Sequence, residues 1–407
     1  MPEPAGKFRL SPMETSTRRH NPLIECVPNF SEGRDPRAVE KIAAAMAGVA
    51  GATLLSCEMG EDAHRSVMTL IGSPEAVCEA AFRGIMAAGE VIDMRRHRGA
   101  HPRLGAADVC PLVPLRDVSM PDCVAMACEL GRRVGEEAGI PVYLYREAAT
   151  RPAYRYLANV RRGQYEGLPE RLRREDGLPD FGPAIFNAGS GASIIGARDI
   201  LIALNVSLST ADPAIARDIA RKLRESGEAI RENGRTLVYR EGCYPAGMDG
   251  FLGGDFRATR THCRKKVRFD PAELLLMRGK DPNKPEGEAV FRPGKFPGLR
   301  AIGWYLPHYR QAQISMNIEN YRLAPPHLIL EKVRELAGAR GVAVVGSELI
   351  GLAPRDWFLE AGAYYGKLQG ISEVLPEQGL IGLVIAAMGL DQVAPFDAEK
   401  KILRVND

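Results

Sequence analysis

The stretch ATLLSCEMGEDAHRSVMTLIG, residues 52–72, contains two short, mainly apolar runs that are separated by a polar turn. Paired runs of this kind predict two neighbouring strands. A helix is predicted before them, over residues 36–48, where apolar residues recur at helical spacing, and another after them, over residues 73–92, which open on Ser-Pro. Strands are predicted farther outward, at residues 23–29 and 107–115. The order of elements is therefore strand, helix, two strands, helix, strand.

The second half of the chain repeats this order of elements. Strands are predicted at residues 199–208, 298–306, 311–321 and 341–350, and helices at 212–223 and 325–339, while a helix at 119–139 and a strand at 140–148 complete the first half. This order is typical of the split βαβ pattern of ferredoxin-like folds. The sequence therefore predicts an α+β fold, a duplicated ferredoxin-like α/β sandwich whose two subdomains pack helices on mixed β-sheets.

Domain boundaries follow from the same order of elements. Residues 1–21 are polar and predict a disordered tail. Residues 22–197 are predicted to form an N-terminal subdomain and residues 198–407 a C-terminal one. An insertion at about residues 231–297 interrupts the C-terminal subdomain, and it is rich in Gly and Pro.

This insertion is also basic, with 15 Lys and Arg against 9 Asp and Glu over residues 231–300. A long unstructured loop would be unusual inside a domain, so we expect a hairpin and a short helix at 271–279. Two interpretations stay open. The insertion is either a solvated surface excursion or, through RKKVR at residues 264–268, a basic flap over a polyanionic ligand.

The composition excludes several classes of function. Lys and Arg number 54 against 51 Asp and Glu among 407 residues, so the net charge of +3 indicates neither nucleic acid nor an anionic membrane as partner. No apolar stretch reaches the ~18 residues of a membrane-spanning helix. The eight cysteines lack the spacing of a zinc site or a redox pair, which predicts reduced thiols in a cytoplasmic protein. No metal and no covalently bound cofactor are predicted.

The densest candidate for chemistry is the segment DMRRHRGAHPRLGAADVC at residues 93–110, which contains His97, His101 and four arginines including Arg103. Its glycines and proline exclude a continuous helix and with it the geometry of a helical zinc site. A loop histidine suits proton transfer near neutral pH, and arginine suits carboxylate binding. The alternative is a pair of loop histidines that hydrogen-bond to backbone carbonyls.

Two further segments carry polar or glycine-rich patterns. FGPAIFNAGSGASIIGA at residues 181–197 would let a flat ligand approach the backbone closely, or it is a linker between the two halves. NFSEG at residues 29–33 places Asn29 at a strand end, where it faces a ligand or helps to cap the next helix. Glu58 and Arg65 end and begin adjacent strands, so they lie at a common rim or form a surface salt bridge.

Several motifs resemble the glutamate formimidoyltransferase family. The resemblance is carried by LIECVPNFSEG, DMRRHRGAHPRLGAADVCPLVPL, IPVYLYREAA, DFGPAIFNAGSGA, AIGWYL, AQISMN, VVGSELIGL and LGLDQVAPF. It implies transfer of the formimino group from N-formimidoyl-L-glutamate to N5 of tetrahydrofolate, in histidine degradation, with tetrahydrofolate as co-substrate. Formyl transfer from N-formylglutamate and a non-enzymatic folate-binding role are the alternatives.

The resemblance also implies site residues and partners. It assigns the catalytic histidine to His101 and leaves the contact of Glu58 open, because the animal family member has Asp there. The folate-contacting segment would comprise Gly182, Pro183, Ala184, Ile185, Phe186, Asn187, Ala188, Gly189, Ser190 and Gly191. Substrate contacts are further expected from Asn29, Arg65 and Arg103. A homodimer, polyglutamylated tetrahydrofolate as ligand and a separate cyclodeaminase chain as partner are expected on the same basis.

Overall fold

The computed structural model describes residues 22–404, so the predicted tail at residues 1–21 lies outside the described residues. The first half contains β1 (Leu23–Cys26), β2 (Asn29–Phe30), α1 (Pro36–Ala47), β3 (Ala52–Gly60), β4 (Arg65–Gly72), α2 (Pro74–Val91), β5 (Ala107–Arg116), α3 (Met120–Glu137), β6 (Val142–Arg146), α4 (Leu157–Val160), α5 (Leu168–Arg171) and β7 (Ser193–Ala197). The predicted strands and helices of this half are confirmed in type and order.

The helices begin where their capping residues predict. Ser73 caps α2 by accepting a hydrogen bond from the backbone N–H of Ala76, and Pro74 occupies the first helical position. Ser119 and Asp122 form a reciprocal capping box at the start of α3. These local contacts satisfy backbone donors that a helix end leaves free, so they define the helix starts from sequence alone.

The first sheet extends one strand beyond the prediction. Strand β3 pairs with β4, β4 pairs with β1 and β2, and these pair with β5, all antiparallel. Strand β7 then lies between β5 and β6, parallel to both, and is fully buried. Sequence reasoning missed β7 because SIIGA is a short apolar run behind a glycine-rich segment. The linker interpretation of residues 181–197 is therefore wrong for Ser193–Ala197.

The second half begins with β8 (Ile202–Leu208) and α6 (Pro213–Leu223), which Asp212 caps as predicted. The middle segment follows as β9 (Glu228–Ala229), β10 (Arg231–Glu232), β11 (Arg235–Thr236), β12 (Tyr244–Pro245), β13 (Leu252–Gly253), α7 (Phe256–His262), α8 (Pro271–Met277) and β14 (Phe291–Arg292). The predicted hairpin corresponds to β10 and β11, and the predicted short helix corresponds to α8.

This middle segment has a core of its own and contacts the first half. Its buried cluster comprises Ile230, Tyr239, Tyr244, Leu275 and Val290. Leu274 and Met277 of α8 pack with Tyr156, which lies in the first half just before α4. The side chain of Asn159 in α4 donates a hydrogen bond of 2.8 Å to the carbonyl of Leu276. The segment therefore braces α4 of the first half.

The remainder of the second half forms a four-stranded sheet with helices. Its elements are β15 (Leu299–Leu306), β16 (Gln311–Ile318), α9 (Pro326–Gly338), β17 (Val344–Ile350), β18 (Ala353–Pro354), α10 (Arg355–Leu368), α11 (Glu377–Met388), α12 (Ala398–Lys401) and β19 (Ile402–Leu403). The sheet order is β15-β16-β8-β17, antiparallel throughout. Helices α10 and α11 pack on each other and were not predicted, although Trp357 and Phe358 are fully buried there.

The fold is mixed α+β, as predicted, with a separate hydrophobic core in each half. Helices α1 to α3 pack against the first sheet, and α6 and α9 pack against the second. Within residues 22–404, no helix combines the length and apolar character that crossing a bilayer requires. Polar residues remain on the strand faces that the helices leave open, where the candidate site lies.

Candidate active site

His101 lies in the loop that joins α2 to β5, and two close backbone approaches shape this loop. A Cβ atom on Gly99 would lie 2.3 Å from the carbonyl oxygen of Ala63, and one on Gly105 would lie 2.3 Å from that of Ala192. The backbone N–H of Ala100 donates a hydrogen bond of 3.0 Å to the carbonyl of Asp62 in the β3–β4 turn. Glycine is therefore required at both positions, and the loop holds His101 in place.

The imidazole of His101 is oriented by a hydrogen bond to backbone. Its Nδ1 lies 2.7 Å from the carbonyl oxygen of Pro102, so Nδ1 carries the proton in the neutral ring and Nε2 keeps its lone pair. Burial holds the pKa of His101 well below its usual range, and the positive charges of Arg65 and Arg161 lower it further. The ring is therefore a neutral base at physiological pH.

Arg65, Asp108 and Arg161 form a buried charge cluster beside His101. One carboxylate oxygen of Asp108 accepts hydrogen bonds from Arg65 at 2.7 Å and from Arg161 at 2.6 Å, and the other accepts from the backbone N–H of Leu104 at 2.7 Å. Burial lowers the pKa of Arg65 to about 10. Burial alone would raise the pKa of Asp108, but the two guanidinium groups hold it far below its usual range.

The cluster carries two positive charges and one negative charge, which favours an anionic group near His101. Sequence reasoning found Arg65 but missed Arg161, which follows the short helix α4 and is 53 residues from Asp108 in sequence. The buried Nε of Arg161 has no hydrogen-bond partner within the described residues.

Asn29 belongs to the same cluster. Its side-chain oxygen accepts a hydrogen bond of 2.9 Å from Nε of Arg65, while its amide group donates to the carbonyl of Val27 at 2.8 Å. Glu32 instead accepts three backbone N–H groups ahead of α1 and thus stabilises the turn. Asp35, which follows NFSEG, caps α1, so the capping role predicted for this segment is not observed, and a ligand contact of Asn29 stays a prediction.

Arg103 and His97 stabilise the loop. Arg103 forms a two-pronged ion pair with Glu166, at 2.6 and 2.8 Å, and donates from Nε to Nδ1 of His97 at 3.1 Å. The other ring nitrogen of His97 lies 2.8 Å from the carbonyl of His64, and the two imidazoles stack 4.3 Å apart. Burial lowers the pKa of His97 to about 4. A substrate contact of Arg103 stays a prediction.

Glu58 faces the second half of the chain. Its carboxylate accepts a hydrogen bond of 3.0 Å from the backbone N–H of Gly351 and pairs with Lys401 at 2.9 Å. The register places Glu58 opposite Val67, whereas Arg65 lies opposite Gly60. The two predicted rim residues therefore engage different partners, and Glu58 ties β3 to the second half.

The glycine-rich segment at 182–191 is attached to the His101 loop. The backbone N–H groups of Met94 and Ala106 donate to the carbonyls of Gly189 and Ser190, both at 2.8 Å. Tyr165 donates from its hydroxyl to the carbonyl of Ala188 at 2.6 Å. Within this segment Ile185 is 72% exposed. The structure thus brings the predicted folate segment and the predicted catalytic loop together.

The second half supplies another wall. Trp304 on β15 lies edge-on to the His101 ring, with centroids 6.2 Å apart. Its indole N–H donates to the side-chain oxygen of Gln313 at 2.9 Å. Sequence reasoning missed both residues as site candidates because strand residues from a distant half give no local signal. Two hollows of about 460 and 470 Å³ lie elsewhere, at His262 and at Glu377.

Comparison with known proteins agrees with this arrangement. Residues 23–198 match the family model of the formiminotransferase domain, N-terminal subdomain, and residues 270–406 match that of the formiminotransferase domain. A glutamate formimidoyltransferase of Thermoplasma acidophilum is 39% identical over 353 residues, which cover 86% of this chain and 94% of that protein. The chain belongs to the formiminotransferase family.

Two more relatives of this formiminotransferase-family chain match most of its length. A glutamate formimidoyltransferase of Streptococcus pyogenes serotype M1 is 33% identical over 343 residues, covering 84% of this chain and 93% of the relative. The formimidoyltransferase-cyclodeaminase of Rattus norvegicus is 36% identical over 381 residues, covering 94% of this chain. The match spans only 59% of the rat protein.

The site residues of both halves lie within the matched regions of the formiminotransferase models. His101, Asp108 and Arg161 fall in the first match, and Trp304 and Gln313 fall in the second. The second match begins at residue 270 and therefore includes α8, whereas the insertion predicted at about residues 231–297 stays a prediction.

Proposed function

We propose that the chain transfers the formimino group from N-formimidoyl-L-glutamate to N5 of tetrahydrofolate, giving 5-formimidoyltetrahydrofolate and L-glutamate. The observation that carries this proposal is a neutral imidazole with a free Nε2 beside two buried guanidinium groups. Membership of the formiminotransferase family supports the same reaction.

His101 can move the proton that the transfer requires. N5 attacks the amidine carbon, which forms a C–N bond and a tetrahedral carbon bearing three nitrogens. Nε2 of His101 takes the proton from N5 and delivers it to the nitrogen of glutamate, and the C–N bond to that nitrogen breaks. Because the pKa of His101 is depressed, the transient imidazolium is a strong acid and releases this proton readily.

Arg65 and Arg161 can hold the donor. L-glutamate carries two carboxylates, and guanidinium groups bind carboxylates through paired N–H donors. Asp108 fixes both guanidinium groups and neutralises one of their charges, so the cluster retains a single net positive charge for the ligand. Holding donor and acceptor together converts a bimolecular reaction into a local one.

The direct experiment mixes the full chain with tetrahydrofolate and N-formimidoyl-L-glutamate under argon, and it measures L-glutamate release and the mass of the folate product. N-formyl-L-glutamate serves as the second donor in a parallel reaction. We expect glutamate release only with both substrates and a faster reaction with the formimino donor. Release from neither donor would reject the proposed function, and faster release from the formyl donor would favour the alternative transferase.

The depressed pKa of His101 predicts the pH profile. The base form of a group persists down to its pKa, so the neutral imidazole should remain available as pH falls through ~6.5, the ordinary value for histidine. We expect kcat/KM for the donor to stay level between pH 8 and about pH 6.5 and to fall only at lower pH. An acidic limb centred at or above about pH 6.5 would contradict the assignment.

We also propose that the basic stretch at 264–268 contacts the polyglutamate tail of tetrahydrofolate. Lys265 and Lys266 are exposed, whereas Arg264 is paired with Asp270. The stretch precedes α8, which braces α4, and Arg161 of the charge cluster follows α4 directly. The position is therefore compatible with a ligand that extends outward from the site.

Replacing Lys265 and Lys266 together by alanine should weaken polyglutamylated tetrahydrofolate, because two charges that attract the tail are lost. The increase in KM for polyglutamylated tetrahydrofolate should be larger at low salt than at high salt, since exposed charges are screened within about 10 Å at 0.1 M salt. Monoglutamyl tetrahydrofolate is the control ligand and Lys41→Ala, an exposed lysine of α1, the control variant. An equal increase in KM for the polyglutamylated and the monoglutamyl ligand would show that the polyglutamate tail does not contact this surface.

We further infer that the two halves are copies of one βαββαβ unit, the finer form of the predicted fold. In the first half, β3 pairs with β4, β4 with β1 and β1 with β5. In the second half, β15 pairs with β16, β16 with β8 and β8 with β17, which is the same order of pairing. The homodimer, the cytoplasmic location and the association with a separate cyclodeaminase stay predictions. Light scattering of the purified chain would measure the first of these.

A further inference from the structure

Trp304 occupies an unusual position for a large aromatic residue. It lies on β15, the edge strand of the second sheet, directly opposite Gln313 of β16. It is only partly buried, whereas Trp357, the other tryptophan of the chain, is fully buried in the core of the second half. Part of the Trp304 indole is therefore accessible, whereas that of Trp357 is not.

A chain of polar groups fixes the indole. The indole N–H of Trp304 donates to Gln313 at 2.9 Å, and the amide group of Gln313 donates to the hydroxyl of Ser207 at 3.3 Å. Gln313 and Ser207 are each 1% exposed. Burying polar groups is costly unless they are hydrogen-bonded, and a satisfied buried network locks its members in one geometry. Three strands therefore hold the ring in one orientation.

The fixed ring stands against the candidate base. The planes of the His101 and Trp304 rings meet at an angle of 67°, so the two rings form an edge-to-face contact rather than a stack. This contact crosses from the first half to the second. The indole therefore lies next to the imidazole that we propose as the base.

We propose that Trp304 is the platform on which the pterin ring of tetrahydrofolate stacks, with N5 directed at His101. The proposal rests on the proposed function, and it names the residue that positions the acceptor. Flat heteroaromatic rings stack on tryptophan favourably, and the polar chain through Gln313 fixes the platform before the ligand arrives. Each half then contributes one element: the first half the base, the second half the platform.

Intrinsic fluorescence tests the contact directly, because the chain has only two tryptophans. Tetrahydrofolate monoglutamate is titrated under argon into W357F, which retains only Trp304, and into W304F, which retains only Trp357. We expect saturable quenching in W357F and little change in W304F. Quenching confined to Trp357 would overturn the proposal.

Kinetics give an independent test. Because a ring that stacks on an aromatic side chain loses that contact on truncation, W304A should raise KM and Kd for tetrahydrofolate by about 5- to 150-fold. W304F, which keeps a ring, should raise them by less than about threefold. KM for the formimino donor should change little in both variants.

The matched control is Tyr305→Ala, because Tyr305 is the next residue on the same strand and points to the opposite face. Thermal unfolding of each variant establishes that the fold is retained. Unchanged affinity for tetrahydrofolate in folded W304A overturns the platform, even if kcat falls. If the wild-type protein transfers the formimino group but W304A binds tetrahydrofolate normally, only the platform proposal is rejected. If the wild-type protein binds tetrahydrofolate at Trp304 but transfers no formimino group, only the proposed function is rejected.

Discussion

Replacing His101 by alanine should lower kcat by about 10²–10⁴-fold while the affinity for tetrahydrofolate changes little. In the proposed reaction the imidazole takes a proton from N5 and returns it to glutamate, and the bond from Nδ1 to the carbonyl of Pro102 leaves the lone pair on Nε2. We expect ligand binding to depend on other groups, including Arg65 and Arg161. Single-turnover and steady-state kinetics together separate the chemical step from binding.

The control for this variant is His262→Ala. His262 lies in α7 of the middle segment and pairs with Asp249, remote in sequence from the His101 loop, so turnover with monoglutamyl tetrahydrofolate should stay near the wild-type rate. Added imidazole should restore part of the activity of His101→Ala, because it can occupy the space left by the ring. Near-normal turnover of His101→Ala would reject the acid–base assignment.

Replacing Asp108 by alanine should lower the free energy of unfolding by about 3–5 kcal/mol at neutral pH, the typical cost of removing one partner of a buried ion pair. Asp108 is fully buried and compensates the charges of Arg65 and Arg161. Without the carboxylate, both guanidinium groups stay buried and lose the negative charge that compensates them, and the backbone N–H of Leu104 loses its acceptor. Urea unfolding of the full chain, compared between the wild type and the variant, measures this loss of free energy.

The pH dependence of this loss has a definite sign. The pKa of Asp108 is lower in the folded protein than in the unfolded chain, where it is about 3.9. Its contribution is therefore complete above that value and decreases as the pH falls below it. The difference in the free energy of unfolding between the wild type and Asp108→Ala should therefore shrink in acid.

Asp176→Ala is the matched control, because Asp176 pairs with Arg174 on the surface, with 70% of its side chain exposed. An exposed pair contributes about 1 kcal/mol or less, so this variant should unfold almost like the wild type. Equal destabilisation by the two substitutions would contradict the view that burial makes the Asp108 cluster important.

Local sequence patterns predicted most elements because their causes are local. Ser73 and Pro74 define the start of α2 through backbone groups within one turn, and the apolar runs on either side of the β3–β4 turn have strand spacing. Strand β7 escaped prediction because its identity depends on pairing with β5 and β6, which are distant in sequence. A five-residue apolar run by itself does not state which strands it joins.

By itself, the sequence determined the order of most elements, though not β7, α10 and α11, and the loop character of residues 93–106 with His101 inside it, since glycine, proline and capping residues act through their own backbone neighbourhood. Only the tertiary structure decided that Arg161 joins Arg65 on Asp108, and that Trp304 from the other half stands beside the imidazole. These contacts arise from sheet order and from the packing of two separate cores, which bring together residues as far as 203 positions apart, and no local pattern records such distances.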